Sequence, residues 1–302
     1  MASKIYITGA TGRLGRAVLE RIDATALVRK PSGLKRGVVT DFSVGQLKSI
    51  LKDADVIIHL AGSVDTWDAR KLREGNVELT RRILEAAPER CRIVFASSIS
   101  VYGKELKETP ADEDTAAKPD SAYSRTKYEA ERMVASRPDH VILRIGTLYG
   151  PRFEDYFRIL SMIELGKMKM IGDGKNHIPF VHVDDVAGAV RAAIGKGDGT
   201  YVLAGEPLGQ EEVLSIAARE LGVPAPAKSV SRGIAMAMTA LGEKWCLLIG
   251  KKPKMTVEHV AVLSYDRVFD CSKAAAELGF SSRPLEKGIS EMVKAYKSRK
   301  PR

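Results

Sequence analysis

Short apolar runs alternate with helical stretches through the first two thirds of this chain. Six runs rich in β-branched residues are apolar on both faces, and they lie at residues 5–7, 24–28, 38–39, 56–58, 93–95 and 141–143. Stretches with helical spacing separate them, at residues 14–22, 44–51, 77–87 and 121–134. Because parallel strands need helical crossovers and a sheet buried on both faces needs cover on both sides, this alternation predicts an α/β fold with a doubly wound parallel sheet.

Composition restricts the class of protein. Of the 302 residues, 44% are hydrophobic, which is enough for a full-sized core. The start of the sequence lacks the apolar stretch of a signal peptide, and no apolar run approaches the roughly 18 residues that a membrane span requires. Three scattered cysteines without metal-ligand spacing favour free thiols in a reducing compartment. We expect a soluble, cytoplasmic protein with no integral membrane segment and no metal.

The charge of the chain is basic but dispersed. Lys and Arg number 48 against 38 Asp and Glu, which gives a formal net charge of +10. Only residues 297–302 form a concentrated basic run, and such terminal runs are typically solvated tails. Nucleic acid is therefore not expected as a partner.

A glycine-rich loop joins the first predicted strand to the first predicted helix. Glycines at this junction allow a tight turn, close approach of a pyrophosphate to the backbone, and close packing of helix on strand. The predicted phosphate-binding residues of this loop are Gly9, Thr11, Gly12, Arg13, Leu14 and Gly15.

The end of the second predicted strand bears on the choice of dinucleotide. An acidic residue there usually holds the ribose hydroxyls of NAD, whereas a basic residue accommodates the 2′-phosphate of NADP. This strand ends in Arg29 and Lys30, so the sequence favours NADP over NAD, with Arg29 as the main contact and Arg13 or Lys30 as helpers. Asp41 and Phe42 follow the third strand and are predicted to flank the adenine.

A tyrosine and a lysine lie four residues apart in the stretch 121–134. At that spacing Tyr123 and Lys127 share one helix face. The ammonium favours the phenolate and should lower the tyrosine pKa from its free value of about 10, so that the phenol can exchange a proton near neutral pH. Such a pair is common by chance, and its meaning depends on other motifs.

Those motifs are present in order. They are the glycine loop, His59-Leu60-Ala61-Gly62, Asn76-Val77, Ser97-Ser98-Ile99-Ser100-Val101-Tyr102-Gly103, the Tyr123/Lys127 pair, 144–151 and 181–187. Together they resemble the extended short-chain dehydrogenase/reductase family over nearly the whole chain. The resemblance implies that Ser98 hydrogen-bonds the reacting oxygen, that Tyr123 passes the proton, and that Lys127 binds the nicotinamide ribose.

The resemblance also extends the predicted cofactor site and leaves other polar residues outside the chemistry. It adds Leu60, Ala61, Gly62 and Asn76 to the residues that contact the dinucleotide. Ser97 and Ser100 are interpreted as structural neighbours of Ser98, and His59 and His182 as packing or fold-holding residues. A homodimer formed through a pair of helices is a family-level expectation.

Two chemistries share this scaffold, namely net redox of a hydroxyl/carbonyl pair and epimerisation or dehydration of a nucleotide sugar with retained NAD. Nucleotide-sugar enzymes of the family typically carry Arg-Asp where this chain has Ile178-Pro179, so one phosphate contact is missing unless Lys175 or His177 replaces it. The C-terminal region resembles the 3β-hydroxysteroid dehydrogenase and dihydroflavonol reductase-like branch. Its apolar stretch 234–248 either lines a substrate pocket, packs as an ordinary helix, forms a dimer contact or touches a membrane surface.

The sequence thus predicts an NADP-preferring oxidoreductase for a small organic substrate. The alternatives are a nucleotide-sugar epimerase or dehydratase and a non-catalytic NADP-binding regulatory protein. The predicted layout is a dinucleotide-binding Rossmann domain at 1–150, to which 179–204 and about 266–280 return; a substrate-binding region at 151–178 and 205–265; and a C-terminal helix with the basic tail at 281–302.

Overall fold

The computed structural model describes residues 3–253 and 256–299. Within them the chain forms eleven strands and twelve α-helices. The strands are β1 (Ile5–Thr8), β2 (Thr25–Val28), β3 (Gly37–Val39), β4 (Val56–His59), β5 (Arg92–Ser98), β6 (His140–Ile145), β7 (Thr147–Tyr149), β8 (Met170–Ile171), β9 (Phe180–His182), β10 (Gly199–Leu203) and β11 (Ser229–Val230). The helices are α1 (Arg13–Leu19), α2 (Val44–Leu51), α3 (Ala69–Arg73), α4 (Leu79–Ala86), α5 (Ala122–Ala135), α6 (Phe157–Glu164), α7 (Val183–Ala192), α8 (Gln210–Leu221), α9 (Arg232–Leu248), α10 (Val257–Val262), α11 (Ser272–Leu278) and α12 (Leu285–Arg299).

Seven strands form one parallel sheet in the order β10-β6-β5-β4-β1-β2-β3. The apolar side chains of the central strands are buried on both faces, as the sequence pattern requires. One face is covered by α1 and α7, which pack on each other, and the other by α2, α4 and α5. This arrangement confirms the predicted doubly wound α/β fold.

The chain beyond the sheet builds a smaller, mostly helical part. Helices α6, α8 and α12 pack around a third apolar cluster, to which Leu160, Leu214 and Met292 contribute. The short pair β7/β9 lies beside this cluster, outside the main sheet, whereas β10 joins the sheet at its edge through β6. The basic run at the C-terminus begins inside α12, where Lys297 donates to the Glu220 carbonyl oxygen and Arg299 pairs with Glu154; residues 300–302 lie outside the described residues.

No helix in the described ranges has both the length and the apolar character needed to cross a bilayer.

Candidate functional site

A continuous cleft runs along the carboxyl ends of the sheet strands. The strand order reverses between β4 and β1, because the chain continues from β1 towards β3 on one side and from β4 towards β10 on the other. In open α/β sheets, ligands bind in the crevice that this reversal creates. The loops after β1, β4, β5 and β6 all contribute to the cleft walls.

The glycine loop after β1 forms the floor of the cleft. Gly9 adopts φ +70°, and a Cβ there would lie 2.7 Å from the Ala61 nitrogen; a Cβ on Gly15 would lie 2.2 Å from the Gly9 carbonyl oxygen. These two positions therefore require glycine for local packing. A Cβ on Gly12 would meet only the Gly9 oxygen, at 3.1 Å, so the loop is open on the side that faces the cleft.

Helix α1 starts immediately after this opening. Gly12 occupies its N-cap position and provides no side-chain cap, so the amide groups of the first turn point towards the cleft without a capping oxygen. An anionic group is favoured at such a helix start by hydrogen bonding and by the helix dipole. A pyrophosphate therefore fits the loop. Thr11, Gly12, Arg13 and Leu14 line the cleft at this point.

Two basic side chains lie where β2 ends. Arg29 and Lys30 are exposed and line the cleft, and the Arg29 guanidinium lies 5.8 Å from the centre of the Phe42 ring. Phe42 is buried with φ +60°, a conformation that is uncommon outside glycine, and it too lines the cleft. Asp41, which is predicted to flank the adenine beside Phe42, is exposed and accepts a hydrogen bond from the Ser43 amide at 2.7 Å; it is not among the residues that line the cleft.

The three predicted catalytic side chains line one cleft, together with the glycine loop. Ser98 comes from the end of β5, and Tyr123 and Lys127 come from the first turns of α5. Helix α5 begins at this place because Ser121 and Ser124 form a capping box, in which each side chain accepts the other residue's amide hydrogen. The sequence spacing thus brings all three side chains to the same cavity.

The Ser98 hydroxyl is held at the start of a 3-10 helix, Ile99–Tyr102. Its oxygen accepts the Ser100 amide hydrogen at 3.2 Å, and it donates to no group among the described residues. The hydroxyl hydrogen can therefore be donated to a ligand oxygen in the cleft. Ser97, one residue earlier, also lines the cleft, but its hydroxyl donates to Glu131 at 2.7 Å.

Lys127 is buried beneath the cleft. Its Nζ donates to the Ala96 carbonyl oxygen at 2.5 Å and lies 4.3 Å from the centre of the Phe95 ring, and the residue is 5% exposed. Burial lowers the pKa of the ammonium from 10.5 to about 8, while the negative charge of Glu131 opposes part of that shift. Lys127 is therefore still mostly protonated at neutral pH.

A buried ion pair lies next to Lys127. Glu131 binds Arg144 at 2.5 Å, and Arg144 also donates to the Tyr102 hydroxyl at 2.8 Å. Sequence reasoning did not assign Glu131 a role, although its position four residues after Lys127 was a readable signal. The pair joins α5 to β6 and holds the helix that carries Tyr123 and Lys127 against the sheet.

His59 is the last residue of β4 and hydrogen-bonds Thr8 of β1 and Thr80 of α4. The His59 Nε2 atom lies 2.9 Å from Thr80 Oγ1. The Thr80 hydroxyl hydrogen is already donated to the Asn76 carbonyl oxygen at 2.6 Å, so Thr80 Oγ1 must accept the hydrogen of His59 Nε2–H. Nδ1 then accepts from Thr8 Oγ1 at 2.7 Å. Burial, and secondly the charge of Lys127, lower the pKa of His59 to about 3, so the ring is neutral and serves as a structural link.

Asn76 lies in a π-helical turn, Glu74–Glu78, between α3 and α4. Its amide donates to the Ser63 carbonyl oxygen and to Thr126 Oγ1, each at 3.0 Å, and its oxygen accepts the Ser63 amide hydrogen at 2.8 Å. The side chain lines the cleft but is hydrogen-bonded throughout to protein groups. Asn76 therefore fixes the Gly62-Ser63 segment of the cleft wall against α5. Leu60, Ala61 and Gly62 line the cleft as well.

The substrate side of the cleft is mostly apolar. Leu148 and Phe153 line this part of the cleft, although the sequence did not single them out. The cationic side chains that line it are those of Arg13 and Lys127. The Arg13 guanidinium binds Asp155 at 2.6 Å and lies 4.7 Å from the centre of the Phe153 ring.

Two candidate phosphate contacts lie elsewhere. His177 binds Asp266 at 2.6 Å, Lys175 is exposed, and neither lines the cleft. The apolar stretch 234–248 also lies apart from the cleft walls, and α9, which contains it, buries none of its side chains. Of this stretch, only residues on one face, such as Met236, Thr239 and Cys246, are half-buried.

Comparisons with known proteins agree with this architecture. A family model described as the NAD dependent epimerase/dehydratase family matches residues 5–204. A Synechocystis sp. protein provisionally named dihydroflavonol 4-reductase is 27% identical over 97% of this chain and 94% of its own length. A 2-alkyl-3-oxoalkanoate reductase from Shewanella oneidensis is 25% identical over 96% of this chain and 85% of its own length. The solved structure of MoeE5 in complex with UDP-glucose and NAD has a TM-score of 0.75 at 24% identity, over 98% of this chain and 99% of that one, and shows the shared fold alone.

Proposed function

Because the chain belongs to the NAD dependent epimerase/dehydratase family, we propose that it is an NAD(P)-dependent oxidoreductase that interconverts a hydroxyl and a carbonyl group on a small organic substrate. The observation that carries this proposal is the convergence of Ser98, Tyr123 and Lys127 on one cleft with the glycine loop. The bound nicotinamide would supply or accept the hydride.

The roles of the chain's own residues follow from their surroundings. Ser98 donates its free hydroxyl hydrogen to the substrate oxygen and stabilises the charge that develops there. Tyr123 gives that oxygen a proton in the reducing direction and takes one in the oxidising direction. Lys127, held in place by the Ala96 carbonyl oxygen, presents its remaining N–H groups to the cleft, favours the phenolate of Tyr123 and binds a ribose hydroxyl.

We further propose that NADP is preferred to NAD. Arg29 and Lys30 both line the cleft at the end of β2, where the adenosine ribose is held in this fold. Neither has a carboxylate partner among the residues that the structure describes, so their charges are available to a 2′-phosphate. The residues directly after β2, Arg29 and Lys30, are both basic, so this position offers no carboxylate for the ribose hydroxyls.

The substrate is proposed to be uncharged near its reacting carbon and largely apolar. Of the cations that line the catalytic cleft, Arg13 is already paired with Asp155 and Lys127 lies beneath the reacting groups. A sugar nucleotide carries a diphosphate that needs dedicated cationic contacts. The names of the two relatives compared above, a dihydroflavonol reductase and an oxoalkanoate reductase, support carbonyl reduction rather than sugar epimerisation.

The proposal is tested by supplying NADPH with a panel of ketones, namely a β-oxo acid with an alkyl chain, a 3-oxosteroid and an aromatic ketone, beside UDP-glucose. We expect one of the ketones to be reduced with loss of NADPH absorbance. Tyr123→Phe should lower kcat by about a hundredfold or more while NADPH still binds, because only the proton donor is removed. Tyr128→Phe, on the same helix but outside the cleft, is the matched control and should leave kcat unchanged. Conversion of UDP-glucose without net change in the nicotinamide, or full activity of Tyr123→Phe, would contradict the proposal.

A further inference from the structure

Helix α9 carries an apolar stripe on the face that it turns to the outside. Five large side chains repeat at spacings of three and four residues, and at 100° per residue they fall within an arc of about 80°. All are exposed: Ile234 (55%), Met238 (66%), Leu241 (67%), Trp245 (64%) and Leu248 (81%). A surface helix of a globular protein normally shows polar side chains on this face. A contiguous exposed apolar stripe instead indicates an interaction surface.

The opposite face of α9 is the one that contacts the rest of the chain. Met236, Thr239 and Cys246 are half-buried there. Glu243 lies on the same face and accepts the Val257 amide hydrogen at 2.8 Å. The helix therefore contacts the rest of the chain through its inner face, and the apolar stripe on its outer face stays exposed.

The charges around the stripe are almost all positive. The described residues 222–253 include five basic residues, of which Lys252 is paired with Asp65, and one acidic residue. The acidic residue is Glu243, which faces inward. Arg232 at the start of α9, Lys244 beside the stripe and Lys251 just past the helix end are all exposed.

From this combination we infer that α9 docks the protein on an anionic lipid surface, with the stripe immersed among the lipid chains and the surrounding cations on the headgroups. A helix lying in the interface uses its apolar face for insertion and its Lys and Arg side chains for anionic headgroups. Tryptophan is favoured at this depth, and Trp245 is one of the five stripe residues.

A second copy of the chain fits this surface less well than an anionic bilayer does. A two-fold interface would bring the same basic segment of both copies together, and the like charges would repel. An anionic bilayer both covers the apolar stripe and neutralises the cations.

The docked face adjoins the catalytic cleft. Lys252 Nζ binds Asp65 Oδ2 at 2.6 Å, and Asp65 follows Ser63 and Val64, which line the cleft. Val64 is itself 78% exposed. Docking through α9 would therefore bring the cleft mouth close to the lipid surface.

The test is co-sedimentation of the full chain with vesicles. We expect binding to phosphatidylcholine vesicles that contain about one third phosphatidylglycerol, weak binding to phosphatidylcholine alone, and release as NaCl is raised from about 0.1 to about 0.5 M. The double variant Met238→Glu/Leu241→Glu should lower the partition coefficient by about tenfold or more, because two charges would enter the apolar layer. The matched control, Val39→Glu/Leu165→Glu, changes two exposed apolar residues away from α9 and should bind as the unchanged chain does.

A fluorescence readout reports where the contact lies. The chain has two tryptophans, so Trp67→Phe leaves Trp245 as the only one. Its emission should move to shorter wavelength when anionic vesicles are added. Circular dichroism checks that each variant is folded, and folding is expected because the altered side chains are exposed. Equal binding of the Met238→Glu/Leu241→Glu variant, no binding of the unchanged chain, or lipid-independent dimers that this variant abolishes would each overturn the inference.

Discussion

Replacement of Lys127 by methionine should make the protein more stable and inactive at once. The lysine is buried, and among residues 3–253 and 256–299 no carboxylate forms an ion pair with it, since Glu131 is paired with Arg144. A methionine of similar length fills the same space without a charge. We therefore expect the free energy of unfolding to rise in the Lys127→Met variant.

The magnitude follows from the pKa of the ammonium. Burial lowers it from 10.5 to about 8, and a shift of that size corresponds to about 3 kcal/mol of unfavourable free energy for the charged form. The variant also loses the hydrogen bond to the Ala96 carbonyl oxygen, which costs about 1 kcal/mol. The net gain is about 2 kcal/mol, or an increase in Tm of about 5 °C for a chain of this size.

The gain should depend on pH in a defined direction. Between pH 8 and 10.5 the unfolded chain keeps the Lys127 proton while the folded chain loses it, so the stability of the unchanged protein rises with pH across this window. The methionine variant has no such proton. Its advantage should therefore be full below about pH 8 and shrink as the pH rises towards 10.5.

The assay is urea unfolding of nucleotide-free protein, followed by circular dichroism at about pH 7 and about pH 9.5. Lys107→Met changes an exposed lysine and is the control, for which no pH-dependent gain is expected. A Lys127→Met variant that is less stable than the unchanged protein at pH 7 would refute the reasoning, and so would a gain that is the same at both pH values.

Three other changes test the site and its supports. Arg29→Gln should raise the Kd for NADPH by about tenfold or more and leave that for NADH unchanged, because it removes a phosphate contact; equal effects on both nucleotides would contradict the NADP assignment. Gly15→Ala puts a Cβ 2.2 Å from a loop carbonyl oxygen and should cost about 3 kcal/mol or more in thermal unfolding, whereas Gly45→Ala, with open space around it, should be neutral or slightly stabilising. Glu131→Gln leaves the buried Arg144 unpaired and should destabilise by about 3 kcal/mol or more, so a loss below about 1 kcal/mol in urea unfolding would argue against that pair as a support.

The sheet could be predicted because its signal is local. Each strand of the central sheet is a short apolar run, and the apolar residues of each helix between them repeat at helical spacing. Strands that alternate with helices pair in parallel, because each helix carries the chain back to the start of the next strand. The position of the cleft follows from the same pattern, since the glycine loop and Ser98 both come directly after strands. Parallel strands place their carboxyl ends on one edge, and residues distant in sequence meet there.

Features that depend on tertiary partners could not be predicted in this way. The sequence predicts a strand at 180–183, where β9 lies, but the three-residue β7 is too short for a period to be visible, and its pairing with β9 could not be read from the sequence. Asp41 was assigned by its place after a strand, and the local bond that its carboxylate accepts from the Ser43 amide could not be read from that place alone. For α9, apolar composition left pocket lining, packing, a dimer contact and a membrane contact open, because whether an apolar face is buried depends on what the rest of the fold brings against it.

The same buried group links the stability of this fold to its proposed chemistry. Lys127 and Glu131 lie on one face of α5, and in isolation the carboxylate would neutralise the ammonium. In the folded chain Arg144 already binds Glu131 from β6, so the carboxylate offsets only part of the cost of burying Lys127. Lys127 therefore keeps its positive charge free to act on a phenol in the cleft. A second carboxylate beside it would stabilise the fold and raise the pKa of the ammonium, but it would also cancel the field that the proposed proton transfer at Tyr123 requires.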